Sequence, residues 1–394
     1  MRIALVHMRH AHTGGTERYL NHLAAYLAAR EHEVTVVCRS HEAPPDPRVR
    51  FEVLRELAVG SAWRMWAFAR AVERHAAEGA YDVVFGLGKT WTHDAVRLGG
   101  GLHGTYLRLA HAETLSRPER LVGKGRLKHR AALRIEARAL APGAYHRVVA
   151  NSRMVARDVS ERYRVPAEAL RVIHNGVDLE RFHPRHRSGA GAALRAELGL
   201  DSSRLVVLFL GTGYGRKGLD VVLAAFAGLA RARPEARLVV VGYDSARAAY
   251  EAQAERLGLG DAVRFLGGRR DPEACYGAAD LYVLPTRYDP FANATLEALA
   301  SGLPVLTSDA NGGAELLSPG AEGEVVPVAG GADALLAGLE RWADPDRRAA
   351  GARAARALAE RHGIDAKLDE TLAVLEEVAA AKARGAAAPA SPPR

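Results

Sequence analysis

Cysteine is scarce in this sequence: only Cys38 and Cys275 occur among its 394 residues. Two cysteines so far apart provide neither a disulfide framework nor the short ligand spacing of a structural zinc site. Their scarcity favours a reducing compartment, so we expect a cytoplasmic protein. The first residues, MRIALVHMRH, contain only a short apolar run, which predicts a buried strand and not a secretory signal.

Long apolar runs are also missing, and no stretch is long enough to cross a bilayer. The two common phosphate-binding fingerprints, GxGxxG and GxxxxGK[ST], do not occur either. No recognition helix, zinc finger or base-stacking motif accompanies the net charge of +8. Nucleic-acid binding is therefore the weaker interpretation of this charge, much of which comes from arginine in an alanine-rich chain.

What the sequence does contain is a regular alternation of short apolar runs with amphipathic helical patterns, such as RIALVH followed by ERYLNHLAAYLAARE. Continuous apolar runs of this kind are typical of parallel strands that helices cover on both faces. The pattern restarts after FHPRHRSGAGAALRAELGL. We place the junction near residues 183–195, where HPRHRSGAG is rich in proline, glycine and charge. Since the chain is also too long for one ordinary core, we predict two doubly wound α/β domains.

We predict four segments along the chain. They are an N-terminal Rossmann-like domain over 1–183, a C-terminal Rossmann-like domain over 184–366, a helix over 367–384 that returns toward the first domain, and a disordered tail over 385–394. Doubly wound sheets bind ligands beyond the carboxyl ends of their strands, and two such domains that face each other form a cleft. The loops that follow the strands should therefore carry the site.

Two adjacent cations, Arg216 and Lys217, follow the strand pattern LVVLFLG and precede the helical pattern LDVVLAAF. The start of a helix is already electropositive, because its first N–H groups are unpaired and its peptide dipoles are aligned. Two further positive charges at this point indicate a strongly anionic ligand such as a phosphate. Gly213, in the same loop, would let the backbone approach that ligand closely.

An acidic pair, Asp289 and Glu297, follows a later strand of the second domain. Asp289 lies in the loop after LYVLPT, and Glu297 lies in the first turns of the next helix. Carboxylates at a strand end accept hydrogen bonds from hydroxyl groups, such as those of a sugar or a ribose. A single acid there could merely complement the helix dipole, but this does not account for the pair.

The first domain offers weaker signals. Gly14 and Gly15 separate the first strand from the first helix, where they would permit close approach to a ligand, although an ordinary turn capped by Thr16 is equally compatible. The loop from Gly86 to Tyr106 holds Lys89, His93, Asp94, three consecutive glycines and His103. A polar, glycine-rich loop at a strand end is a candidate site.

A basic segment over 117–140 is centred on Lys124, Arg126, Lys128 and Arg130. It contains only two acidic residues. A solvated charged helix is one interpretation, and a surface that faces anionic lipid is the other. The sequence leaves both open.

Four motifs, taken together, resemble those of the family-4 retaining glycosyltransferases, which have the two-domain GT-B fold. The motifs are Gly14-Gly15, NGVDLERFHP at 175–184, GRKG at 215–218 and the D-x7-E pair of Asp289 and Glu297. They occur in the family's order across nearly the whole chain. The layout is most similar to that of enzymes of lipopolysaccharide-core assembly.

The resemblance implies that the domain over 1–183 is on the acceptor side and that the domain over 184–366 binds the nucleotide sugar. It also implies a role for each motif. Arg216 and Lys217 would bind the diphosphate of a nucleotide-sugar donor, beside the loop of Gly14 and Gly15. Glu297 would bind the ribose, with Gly213 nearby. Asp289 stands where the family usually has glutamate, near the donor sugar, and is one methylene shorter.

The remaining candidates also depend on the resemblance. His103 and Asp94 would act with Asp289 on the sugar and acceptor side, as the catalytic candidates. Gly312 and Gly313, in the sequence GGAE, resemble the motif that closes the donor pocket.

The resemblance therefore implies transfer of a hexose, with retention, from a nucleotide-diphosphate sugar that we expect to be UDP-linked. The acceptor would be a hydroxyl of a glycolipid or polysaccharide in lipopolysaccharide or cell-surface glycan synthesis, at the inner face of the cytoplasmic membrane. No metal ion or other cofactor is expected, because protein cations would take the place of a metal. The alternatives are another GT-B enzyme such as a sugar-nucleotide epimerase, a non-catalytic nucleotide-binding protein and a basic nucleic-acid-binding protein.

Overall fold

The structure is a computed structural model that describes residues 1–11, 14–42, 46–79, 81–109 and 124–385. These residues form two compact units, each built around one parallel sheet. The predicted disordered tail lies outside the described residues from position 386 onward.

The first unit contains a seven-stranded sheet with the order β3-β2-β1-β4-β5-β6-β7, in which every pairing is parallel. Its strands are β1 Arg2–Val6, β2 Glu33–Cys38, β3 Arg50–Val53, β4 Val83–Gly86, β5 Ala95–Leu98, β6 Arg147–Ala150 and β7 Leu170–Val172. Its helices up to this point in the chain are α1 Gly15–Ala29, α2 Ser61–Glu78, α3 His103–Leu109, α4 Lys124–Ala139 and α5 Arg153–Tyr163. The order reverses between β1 and β4, as in doubly wound sheets.

The second unit contains a six-stranded parallel sheet with the order β10-β9-β8-β11-β12-β13. Its strands are β8 Val206–Leu210, β9 Arg237–Val241, β10 Val263–Gly267, β11 Leu281–Leu284, β12 Val305–Ser308 and β13 Gly323–Val326. Its helices are α6 Ala190–Glu197, α7 Tyr214–Lys217, α8 Leu219–Ala232, α9 Arg247–Arg256, α10 Pro272–Ala278, α11 Asn293–Ala300, α12 Gly331–Trp342 and α13 Pro345–Glu360. Short 3-10 turns include Pro184–Arg187 and Gly312–Leu316.

Hydrophobic burial explains why these segments fold as they do. Strands β4, β11 and β12 are buried at every position, so both of their faces are covered. Helix α8 buries Val222, Leu223 and Phe226 in the core of the second unit. Continuous apolar strands between amphipathic helices are what a parallel sheet with two covered faces requires. The predicted fold class, with two parallel Rossmann-like sheets, is confirmed.

One strand was not expected. The sequence suggests an uninterrupted loop between Gly86 and Tyr106, but β5 runs through it. The strand is only four residues long and contains Arg97, which interrupts the apolar pattern. Arg97 is nevertheless buried, because its guanidinium stacks 4.1 Å from the centre of the Tyr19 ring and donates to Ile173 O at 3.4 Å.

The last helix, α14 Ile364–Ala383, belongs to the first unit. Thr371 Oγ1 and Tyr19 OH share a hydrogen bond of 3.0 Å, Glu377 pairs with Arg147, and Lys382 Nζ lies 2.7 Å from Asp94 Oδ2. The chain thus enters the second unit near Asn175 and leaves it near Ile364. No helix within the described ranges is long and apolar enough to cross a membrane.

Candidate active site

The two cations lie at the carboxyl edge of the second sheet, on a short helix that the sequence pattern did not predict. After β8 the chain forms the single turn α7 and then begins α8. Gly218 separates the two helices with φ +79°, and a Cβ atom at this position would lie 2.2 Å from Pro285 O. Only glycine fits here without strain, because the backbone is left-handed and in contact with a neighbouring loop.

That neighbouring loop, which follows β11, holds the turn in place. Thr286 Oγ1 and Arg287 N both donate to Arg216 O, at 2.9 and 2.8 Å. The Arg287 guanidinium also makes two bonds to the Asp220 carboxylate, of 2.9 and 2.6 Å. A bidentate pair of this kind is directional as well as strong. It therefore helps to fix the backbone of α7, which carries Arg216 and Lys217.

Arg216, Lys217 and Asp289 converge in the structure. Arg216 Nη1 donates to Asp289 Oδ2 at 2.9 Å and to Tyr288 O at 3.1 Å, and Lys217 Nζ donates to the same Asp289 oxygen. The side chains of Lys217 and Asp289 are 10% and 11% exposed, and that of Arg216 is 28% exposed. The trio carries a net positive charge, and Arg216 is its most accessible member.

The charges explain how Asp289 stays ionised. Burial alone would raise the pKa of this carboxyl, but Lys217 and Arg216 together hold the pKa below its ordinary value of 3.8. Two backbone hydrogen bonds fix its position, since Asp289 N donates to Ala310 O at 3.0 Å and Phe291 N donates to Asp289 Oδ1 at 3.2 Å. Asp289 is therefore the counter-ion of both cations.

Glu297 lies on α11 and is 8% exposed. Its Oε2 accepts a hydrogen bond of 2.9 Å from Tyr276 OH, a buried hydroxyl on α10. Burial and the Glu297 charge raise the pKa of Tyr276 well above its ordinary value, so the tyrosine stays protonated as the donor. Sequence reasoning missed Tyr276, because nothing in its local pattern distinguishes it from a core aromatic residue.

Asn311 organises the loop in which Gly312 and Gly313 were expected to bind the donor. Its Oδ1 accepts from Gly313 N at 3.0 Å and from Ala292 N at 3.1 Å, and its Nδ2 donates to Thr295 and Thr307. Gly312 N donates to Asp289 O at 2.9 Å. Both glycine N–H groups are thus engaged within the protein. Asn311 was also missed, since its partners lie up to 19 residues away.

The N–H group of Gly213 is engaged in the same way. Gly213 N donates to Tyr243 O at 3.0 Å, and Tyr214 N donates to Asp244 Oδ2 at 2.7 Å. The first amides of α7 therefore face the loop after β9. Positive charge for a ligand at this edge comes from the side chains of Arg216 and Lys217.

In the first unit, Gly14 and Gly15 lie at the start of α1, where the sequence predicts a turn. Gly14 has φ +106° and caps the helix without a side-chain hydrogen bond. His7 Nε2 lies 4.0 Å from the Glu17 carboxylate, and burial lowers the pKa of His7. The loop after β5 is nearby, because a Cβ atom on Gly99 would lie 3.9 Å from Thr16 Oγ1.

His103 begins α3, after β5, and therefore lies at the carboxyl edge of the first sheet. Its backbone N donates to Glu136 Oε2 at 2.6 Å, and its Nε2 shares a hydrogen bond of 2.9 Å with His129 Nδ1. Burial, together with nearby Lys89 and His129, lowers the pKa of His103 to about 4. The imidazole is thus neutral at pH 7 and can exchange a hydrogen bond with a ligand without carrying charge.

Asp94 lies at the opposite edge of the first sheet from His103, which corrects its expected role on the acceptor side. It precedes β5, and its Oδ2 accepts from Val84 N and from Lys382 Nζ, both at 2.7 Å. It joins the amino ends of two strands to α14. Asp94 and His103 are close in sequence but are separated by the length of β5.

The basic segment forms α4, which buries Ala132, Ile135 and Ala139 in a cluster shared with α2. Three arginines at four-residue spacing are exposed: Arg126, Arg130 and Arg134. Arg138, on the same helix, pairs with Glu73 of α2. Lys128 is partly exposed, the side chain of Lys124 lies outside the described residues, and so do Arg117 and Arg120.

Neither the two cysteines nor any cluster of metal-binding side chains forms a further site in the part of the chain that the structure describes. Both cysteines are buried, and burial raises the pKa of Cys38 to about 11 and of Cys275 to about 12, so both are protonated thiols. No group of three His, Cys, Asp or Glu side chains within these residues could hold a metal ion.

The fold, with two parallel Rossmann-like sheets, is that of the GT-B glycosyltransferases. The family description "Glycosyl transferases group 1" matches residues 192–357, and "Glycosyltransferase Family 4" matches residues 13–181. The two matches together cover most of the chain. The chain therefore belongs to the glycosyltransferases that these two descriptions define, as the four motifs predicted.

Relatives with assigned activities are similar at modest identity. The lipopolysaccharide glucosyltransferase WaaG of Escherichia coli is 26% identical over 317 residues, which cover 79% of this chain and 82% of that protein. The D-inositol 3-phosphate glycosyltransferase of Segniliparus rotundus is 35% identical over 210 residues, which cover 52% of this chain and 43% of that protein. The matches to the D-inositol 3-phosphate glycosyltransferases span about half of their length: 43% here and 56% for that of Saccharomonospora viridis.

Solved structures agree on the fold. The crystal structure of WaaG has a TM-score of 0.78 and 24% identity, with 95% of this chain and 99% of that chain covered. HepE of Anabaena, solved in complex with UDP-glucose, has a TM-score of 0.68 and 21% identity, with 95% and 100% coverage.

Proposed function

We propose that this glycosyltransferase moves a hexose from a UDP-linked sugar to a hydroxyl of a glycolipid or polysaccharide acceptor, in lipopolysaccharide or cell-surface glycan synthesis. The observation that carries the proposal is the convergence of Arg216 and Lys217 on one carboxylate at the carboxyl edge of the second sheet. The activity assigned to WaaG and the UDP-glucose complex of HepE support the choice of donor and acceptor class.

Each residue of the site then has a chemical role. The bond between the anomeric carbon and the β-phosphate oxygen breaks, and negative charge grows on the departing diphosphate. Arg216 and Lys217, held in place before the reaction, stabilise that charge. Glu297, held by Tyr276, accepts hydrogen bonds from the ribose hydroxyls. No metal ion is needed in this scheme, because the two cations supply the positive charge.

Retention of configuration fits transfer on one face of the sugar. Asp289 is a poor nucleophile, because two cations stabilise its charge and hold its pKa low. The acceptor oxygen would instead attack from the side that the diphosphate leaves, and the departing phosphate oxygen would take the acceptor proton. His103, neutral at pH 7, is the candidate for orienting the sugar or the acceptor by a hydrogen bond.

A donor screen tests the proposal. The purified protein is incubated with UDP-, GDP- and ADP-linked glucose and galactose, with and without EDTA, and release of the free nucleoside diphosphate is measured. We expect release from a UDP-sugar that EDTA does not reduce, and an α-linked product from an α-linked donor by NMR. Conversion of the sugar without nucleotide release would indicate an epimerase. Failure to bind any nucleotide sugar would contradict the proposal.

We also propose that α4 attaches the protein to an anionic membrane surface, where a lipid-linked acceptor would be found. Arg126, Arg130 and Arg134 project from the helix face opposite to its buried one, and Leu127 among them is 61% exposed. Each basic residue near an anionic surface contributes about 1 kcal/mol. Flotation with anionic vesicles should be lost in the triple variant R126E/R130E/R134E, and neutral vesicles provide the control. Equal flotation with both vesicle types would contradict an electrostatic attachment.

A further inference from the structure

A groove with a volume of 640 Å³ lies in the second unit, away from the loops that carry the cations. It is lined by the turn Pro184–Arg187, by parts of α10 and by one side of α13. Asp280 and Leu303, which also line it, lie just before β11 and β12. The groove is therefore at the amino edge of the sheet, whereas Arg216 and Lys217 are at the carboxyl edge.

The charge of the groove is unbalanced. Four arginines and two acidic residues line it: Arg187, Arg348, Arg353, Arg356, Asp280 and Glu360. Each acid already has an ion-pair partner, because Arg187 and Arg195 pair with Asp280, and Arg356 pairs with Glu360 at 2.8 Å. Two arginines of the lining, Arg348 and Arg353, form no ion pair with an acid among the described residues.

These two arginines also have unused hydrogen-bond donors. Within the described part of the chain, Arg348 donates through Nη1 alone, to Trp342 O at 3.2 Å and Ala343 O at 2.6 Å. Arg353 is exposed and has no hydrogen bond to any described residue. A guanidinium carries five N–H donors in a fixed plane, which suits a ligand with several acceptor oxygens.

A buried hydroxyl in the same lining points to a ligand independently. Ser301 follows α11 and is only 7% exposed, yet its Oγ has no hydrogen-bond partner within the described residues. Buried polar groups are almost always paired, so an unpaired one calls for an explanation. A bound acceptor would satisfy Ser301 together with the two arginines.

The size and the apolar part of the lining limit the ligand further. Small-molecule sites usually have volumes of about 300–1,000 Å³, so this groove could hold more than an inorganic ion. Leu303, Ala349 and Ala352 give it an apolar wall. We propose that the groove binds a small organic phosphate, with Arg348, Arg353 and Ser301 on the phosphate group and the carbon skeleton against this wall.

The test is a ligand-observed NMR titration of the full chain with phenyl phosphate, in a phosphate-free buffer. Benzyl alcohol replaces it as the neutral probe. We expect the phosphate to bind and the alcohol not to. The R353A variant should bind phenyl phosphate at least about tenfold more weakly, because one charge-assisted hydrogen bond and one net charge are removed. Since Arg353 is exposed, this variant should fold as the wild type does.

Two controls separate this site from others. Arg347 is on the same helix but does not line the groove, so R347A should bind as the wild type does. R216A should also bind normally, which makes the result independent of the proposed transferase function. The S301A variant should weaken binding severalfold without loss of stability, because its hydroxyl has no partner to lose among the described residues.

Three results would overturn the proposal: no binding of phenyl phosphate, equal binding by R353A and the wild type, or loss of binding in R216A. The last would place the anion among the cations at the other edge of the sheet. Titration with glycerol 3-phosphate and with a short-chain phosphatidic acid then distinguishes a soluble phosphate from a lipid headgroup. Tighter binding of either one supports a phosphomonoester site and identifies its source.

Discussion

Asp289 is the counter-ion that keeps both cations of the site in place. Lys217 is buried, and a buried ammonium needs a counter-charge or it loses its proton. Asp289 supplies that charge to Lys217 and to Arg216 at once. The residue that the family resemblance assigns to the donor sugar is thus also the one that keeps two cations in position.

The D289N variant should be less stable by about 3 kcal/mol, because removal of one partner leaves a buried charge uncompensated. The loss should depend on pH. The folded-state pKa of Asp289 lies below its ordinary value of 3.8, so its contribution is present at neutral pH and is lost as the pH falls through and below that value. Urea unfolding of both proteins from pH 7 to pH 3 measures this.

The control is D261N, which removes the acid of an exposed pair with Arg264. It should change the free energy of unfolding by less than about 0.5 kcal/mol. If D289N matches D261N at pH 7, or if its deficit does not shrink in acid, Asp289 is not the counter-ion described here.

Tyr276 is a positioning residue that acts through Glu297. The Y276F variant keeps the ring in the core but removes the hydrogen bond to the Glu297 carboxylate. Since Glu297 is proposed to bind ribose, we expect UDP to bind about tenfold more weakly while inorganic diphosphate binds as before. Calorimetric titration with the two ligands measures the difference. An equal loss for both ligands would mean that the variant only disturbs the fold.

The sequence predicts where some of these residues lie, and it gives no sign of others. The places of Arg216, Lys217 and Glu297 at strand ends could be predicted, because each depends on the strand or helix directly beside it, and their roles stay predictions. Tyr276 and Asn311 could not, because their partners are distant in sequence. Asp94 was misplaced for a related reason: a short sequence distance does not show at which edge of a sheet a residue lies.

Among the elements, the turn α7 decides where the cations point. The sequence predicts one helix after the β8 glycines, and the structure shows two, joined at Gly218. The glycines indicate a turn, but the helix break depends on Pro285, which lies far along the chain in the loop after β11. Strands such as β11 could be predicted, because a short run of apolar residues is enough to indicate a buried strand. Strand β5 was missed because Arg97 interrupts its apolar run.

The G218A variant tests this element. Its methyl group would meet Pro285 O in a left-handed backbone, so we expect lower stability and weaker binding of UDP-glucose. G213A is a matched control, because Gly213 has the same φ of +79° but a methyl group there would have no described atom within 4 Å. Thermal unfolding should show a clearly larger loss for G218A. Equal losses would mean that only backbone strain matters and that contact with the β11 loop does not.

At the scale of the whole molecule, the second sheet has two edges with different chemistry. The carboxyl edge carries Arg216 and Lys217 with Asp289, and the amino edge carries the groove with Arg348 and Arg353. The proposed donor site accounts for the side chains at the first edge. It does not account for the second, which is distinguished by its unbalanced charge and by a buried hydroxyl without a partner among the described residues.

The central claim is that Arg216 and Lys217 bind the leaving diphosphate of a nucleotide sugar. The most direct measurement is kcat/KM for nucleotide release from the best donor, in the wild type, R216A and the control R231A. Arg231 is exposed in the last turn of α8, and Asp289 keeps Lys217 as its partner in R216A. We expect R216A to lose about 100-fold or more, as when one preorganised donor is removed, and R231A to lose nothing. A value for R216A within about twofold of the wild type would contradict this claim.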